Sequence, residues 1–136
     1  MNAYCGPYSV SKADIWAKGQ NTHFSDWRLW LKLGEIPRPA DYWIFIDEHP
    51  DSINDGYFLN NPANYGAGSW GDGPAAYHNG ACGISFVDGH SEVHKWKSAA
   101  TKIAVRTAGW APPGFDAAGR ADYRWLMDRT AIPYKK

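Results

Sequence analysis

Apolar and polar positions alternate along "FSDWRLWLKL", residues 24–33, where Trp27, Leu29, Leu31 and Leu33 fall on one side. That period predicts a strand, ended by the two prolines of "GEIPRPA". The run "DYWIFIDE", 41–48, is almost continuously apolar before its closing acids, which predicts a central strand buried on both faces. "YFLNN" after the turn-rich "HPDSINDG" and "TKIAVRTAG" at 101–109 read as further short strands. Helical spacing is weaker. One stretch runs from Ser11 to Lys18, with Ser11 as cap and Gly19 as stop. A second covers 122–130, with Asp122 as cap. Residues 61–76 are rich in Gly, Pro and Asn and predict a long surface loop.

The strongest local signal lies in "YHNGACGISFVDGHSEVHKW", 77–96. Asp88-Gly89 between two alternating runs predicts a hairpin with a two-residue turn. In that register Val87 opposes His90, Phe86 opposes Ser91, and Ile84 opposes Val93. Ile84, Phe86 and Val93 then form the core face. Ser85, Val87, His90, Glu92, His94 and Trp96 form the other. Together these elements predict one domain over 1–136. Its fold class is α+β with β dominant: an antiparallel sheet of four to six strands, long loops and a short C-terminal helix.

Composition narrows the partners. The chain has 136 residues, 14 basic and 14 acidic side chains, and zero formal net charge. No basic stripe marks a nucleic-acid footprint. No apolar run approaches the roughly 20 residues of a membrane span, and no signal-peptide pattern opens the chain, so a soluble chain is expected. Eight Trp, eight Tyr and five Phe are the outlier. They suit either an aromatic core or a sugar-stacking surface, and core is the expectation. Cys5 and Cys82 form a bridge only if the fold brings their Cα atoms within about 7 Å; two unpaired thiols are expected.

Candidate chemistry is sparse. His90, Glu92 and His94 alternate along one strand, but side chains at i and i+4 stand roughly 13 Å apart, too far to share an ion. His78 is expected to be buried, anchoring the entry to the hairpin. The loop 47–56 offers Asp47, Glu48, Asp51, Asn54 and Asp55 as oxygen ligands, suited to Ca²⁺. The same residue types also serve turns through their own backbone hydrogen bonds. Carboxylate pairs drawn from Asp47, Glu48, Asp88 and Glu92 have no supporting spacing. No nucleotide loop, nucleophile elbow or dinucleotide fingerprint is present, so no catalytic residue is assigned and the chain is read as non-enzymatic.

The segments "IPRPADYWIFIDEHPDSINDGYF" and "PAAYHNGACGISFVDGHSEVHKW" closely resemble the C-terminal part of prepilin-type, pseudopilin-like proteins of planctomycetes, verrucomicrobia and their relatives. Those proteins carry a motif of His, nine residues, then Asp-Gly, matched here by His78 with Asp88 and Gly89. The closing "ADYRWLMDRT" is also similar, and "MNAY" resembles an internal stretch of such proteins. The resemblance implies a structural subunit of a type II secretion or type IV pilus-like filament. Its partners would be other pseudopilin subunits and the secretion or pilus assembly machinery. Its location would be extracytoplasmic, with inner-membrane anchoring in the full-length form. Some relatives bind Ca²⁺ in a C-terminal loop, which adds interest to Asp47, Asp51, Asn54 and Asp55. The family's leader and apolar helix have no counterpart in these 136 residues. A sheet without that helix is expected to expose an apolar patch or to hide it in a homodimer.

Two other functions compete. An extracytoplasmic carbohydrate-binding module would use surface rings such as Tyr65 and Trp70 in "NYGAGSWGDG". A metal-dependent hydrolase would draw on His78, His90, His94 and neighbouring acids.

Overall fold

The structure is a computed structural model that describes residues 1–2, 4–5, 26–63 and 68–134. The helix expected at Ser11–Lys18 and the ring of Tyr65 lie outside the described residues. Three strands form an antiparallel sheet in the order β1-β2-β3: β1 is Trp43–Ile46, β2 is Ala81–Phe86 and β3 is Ser91–Lys95. One helix, α1, spans Ala117–Met127. The architecture is α+β with strands dominant.

The predicted central strand is an edge strand. β1 pairs only with β2 and carries a bulge between Trp43 and Phe45. It therefore buries one face: Trp43 is fully buried, whereas Phe45 is 56% exposed. The bulge turns the Ile44 carbonyl outward to accept the Asn2 N–H at 2.8 Å. Residue 2 is thereby fixed on the sheet margin.

The alternating stretch before it forms no ladder. Trp27 and Trp30 make single bridges, to Pro133 and Cys5, and Leu33 begins a 3₁₀ turn, Leu33–Glu35, with its side chain exposed. Burial takes the adjacent Leu29 and Trp30 rather than one alternating face. A lone extended segment has no sheet face to impose period two. Phe58 likewise forms only a bridge, to Asn2. Residues 103–106 are irregular.

Helix α1 starts earlier than its apolar spacing suggested. Asp116 is its cap, accepting the Gly119 N–H at 2.6 Å. Asp122, the expected cap, is instead buried in mid-helix. Its carboxylate accepts the backbone N–H groups of Lys97 and Ser98 at 2.9–3.1 Å. Those bonds tie the end of the hairpin to α1.

The aromatic surplus builds the core. Trp30, Trp43, Trp70 and Trp96 are all buried. Trp70 meets Phe115 at 5.6 Å and Tyr123 at 5.0 Å, and Trp43 meets Phe58 edge-on at 5.6 Å. Such pairs add about 0.5–1.5 kcal/mol each beyond their buried area. The indole N–H groups of Trp43, Trp70 and Trp96 bond to Thr130, Thr101 and the Ala75 carbonyl, whereas the buried Trp30 N–H has no hydrogen-bond partner among the described residues. Cys5 and Cys82 are both buried and unpaired. Burial pushes each thiol up to about 12, which keeps both inert.

Candidate functional site

The hairpin that carries the motif is present, but its turn differs from the predicted one. Gly89 N–H donates to Phe86 C=O at 3.0 Å, and Phe86 N–H donates to His90 C=O at 2.9 Å. Only Gly89 takes positive φ, 95°, while Val87 and Asp88 keep φ negative. That is a three-residue loop with glycine in the left-handed position, whereas a two-residue type I′ turn needs positive φ at both central residues. The register moves by one: Ser85 opposes Ser91, Ile84 opposes Glu92 and Gly83 opposes Val93. A one-residue slip exchanges the faces of a strand. Val93, expected in the core, is 71% exposed, whereas Trp96, expected on the outer face, is buried. His94 turns inward and stacks on Trp125 with ring centroids 3.5 Å apart.

The two ends of the motif do separate jobs. At the turn, Asp88 Oδ1 accepts from His90 N–H at 3.1 Å and lies 2.6 Å from His90 Nδ1. The His90 bonds hold the Asp88 carboxyl below its ordinary range, and the His90 ring stacks on Phe86. At the open end, His78 Nε2 lies 3.4 Å from Asp47 Oδ2. The same oxygen accepts the Gly83 N–H at 2.9 Å. His78 is about half exposed, not buried as expected, because its turn puts the ring beyond the sheet end. Its backbone, not its ring, closes the loop entry by exchanging hydrogen bonds with Ala81. The length of β2 separates the two ends by roughly 20 Å, at about 3.4 Å per residue. His78 and Asp88 therefore form no common site.

Gly83 makes the open end possible. A Cβ there would stand 2.9 Å from Asp47 Oδ2. Sequence reasoning missed this contact, although a glycine inside a strand pattern is the mark of a close approach.

The acidic loop is not gathered around one point. Asp51 accepts from Arg106 N–H and Thr107 N–H at 2.7 and 2.8 Å. Asp55 accepts from Tyr57 N–H at 2.7 Å, Asp47 faces His78 and Gly83, and Asn54 is exposed. Among the described residues no group of three or more His, Cys, Asp or Glu is placed to hold a metal ion. Glu48, beside Asp47, is half-buried and accepts the Ser52 hydroxyl at 2.8 Å. Burial pushes its carboxyl up to about 7, with Asp72 and Asp55 adding to the rise.

Of the rings expected on the surface, Trp70 is a core residue at 2% exposure. The long loop folds it inward against Phe115 and Tyr123, so it offers no stacking platform to a sugar. The outer face of the sheet has a different character. Phe45 on β1 and Val93 on β3 stand up from it, and Gly83 and Ser85 of β2 form the floor between them, in a groove of about 330 Å³. Among the described residues no helix is long and apolar enough to cross a membrane. Neither a family model nor a curated protein nor a solved structure matches this chain.

Proposed function

We propose that this chain is the head domain of a pseudopilin-like structural subunit, extracytoplasmic and non-enzymatic, whose full-length form is anchored in the inner membrane by an apolar helix. The observation that carries the reading is the outer face of the sheet. Its two apolar ridges, Phe45 and Val93, lie on strands two places apart. Their strands stand roughly 10 Å apart at about 4.8 Å per strand, and Val93 lies two residues along from Ser91, which is level with Phe45, so the two side chains are roughly 12 Å apart, of the order of one α-helix diameter. The small residues Gly83, Ser85 and Ser91 leave the trough that such a helix would occupy. The Asp47 carboxylate lies against Gly83 at one end of this groove, and Glu92 lines it as well. The motif fits the same reading, since His78 and Asp88 each brace one end of a hairpin. The partners of such a subunit are other pseudopilin subunits and the assembly machinery.

The test is the mass and location of the native polypeptide in its own cells, with the upstream DNA read alongside. A membrane-associated product, heavier by at least one spanning helix of roughly 20 residues, is the expected result. A soluble product beginning at Met1 would overturn the reading.

A further inference from the structure

Among the described residues the two edges of the sheet differ. Along β1 two of the outer backbone groups are occupied: Ile44 C=O accepts from Asn2 N–H, and Trp43 N–H donates to Arg129 C=O at 3.2 Å. Along β3 they are not. The bonds Phe86 N–H to His90 C=O and Trp96 N–H to Gly80 C=O, both 2.9 Å, set the phase of the ladder. Residues 90, 92, 94 and 96 direct their backbone groups at β2. Ser91, Val93 and Lys95 direct theirs outward, and among the described residues nothing pairs with them. All three side chains are exposed. An open edge of this kind is a template for another strand.

We propose that the occupant of this edge is β3 of a second copy, paired antiparallel about a two-fold axis at Val93. The sequence Ser91-Glu92-Val93-His94-Lys95 is self-complementary in that direction. Val93 meets Val93 of the second copy, Glu92 meets its His94, and Ser91 meets its Lys95. The outward groups of 91, 93 and 95 then become the hydrogen-bonded pairs of the new ladder, as antiparallel geometry requires. Registers displaced by two residues set Glu92 opposite Glu92, where like charges directly opposed are unfavourable, or His94 opposite His94, whose ring is already stacked on Trp125. Charge thus disfavours the register centred on Glu92. The pairing also covers Val93, the most exposed large apolar side chain described, with a β-branched neighbour on the same face. Two three-stranded sheets become one, and the interface is isologous, as closed dimers require. The open backbone edge is a separate observation from the outer face on which the head-domain reading rests, although Val93 belongs to both.

Sedimentation equilibrium of the 136-residue chain, over a range from about 1 µM to about 1 mM, tests the proposal. A monomer–dimer equilibrium is expected. Val93→Pro removes an outward N–H and leaves the β2–β3 ladder intact, so it should give a monomer with unchanged far-ultraviolet circular dichroism. Glu92→Lys, an exposed substitution that retains the fold, should weaken the dimer at least about tenfold, since symmetry counts each altered pair twice. A wild-type chain monomeric throughout the range would overturn the proposal. So would a folded Val93→Pro or Glu92→Lys chain that dimerises as tightly as the wild type.

Discussion

The two ends of the motif hairpin are built differently. The turn end is local: Phe86, Asp88, Gly89 and His90 bond to one another within five residues. The open end is long-range: Asp47 reaches across the sheet to Gly83 and His78, 36 and 31 positions away in the chain. A local device needs one residue with the right backbone freedom. A long-range device needs the whole sheet in place first, and in return it locks β1 to the far end of β2. The two together hold both ends of one hairpin, which gives His78 and Asp88 mechanical roles.

That contrast can be broken in order of expected effect. Gly89→Val should be the most damaging change. No atom lies within 4 Å of a Cβ built there, so the loss is that of forcing a β-branched residue to positive φ, about 1–3 kcal/mol, read from urea unfolding. Asp47→Ala should follow at about 1–2 kcal/mol, because it strips the Gly83 N–H of its acceptor; hydrogen exchange should quicken at Gly83 and leave Gly89 unchanged. Next comes pH. Glu48, at the open end, has a folded value near 7 against an ordinary 4.5. Its native form keeps a proton that the unfolded chain releases, so its contribution is complete below about 4.5 and is lost as pH rises towards 7. Glu48→Gln should flatten the fall in urea midpoint between about pH 5 and pH 8. Asp88, at the turn, is shifted the other way. Its contribution is present above its ordinary range and is lost only as pH falls below it. His78→Ala should be the mildest, below about 1 kcal/mol, since its contact with Asp47 is half exposed.

The hairpin itself was legible because Asp88-Gly89 is a local signal. Its register was not. An Asp-Gly pair in the sequence suits either a two-residue or a three-residue loop, and the difference of one residue moved Val93 out and Trp96 in. The aromatic core was legible from composition, but which rings entered it was not. Trp70 sits in a loop sequence that looks exposed, and only the packing of Phe115 and Tyr123 draws it inward. Asp122 looked like a cap because Asp favours helix starts. Its burial depends on Lys97 and Ser98, 25 and 24 residues earlier, and no local pattern encodes that. The alternation of Trp27, Leu29 and Leu31 was real in the sequence, yet without a partner strand it produced only single bridges.

The most direct test of the central claim, that the motif braces the fold at two independent points, is a double-mutant cycle between His78→Ala and Gly89→Val by urea denaturation. Separate devices roughly 20 Å apart should give additive losses, within about 0.5 kcal/mol. A coupling energy above about 1 kcal/mol would mean that the two ends act as one site, and would contradict the account.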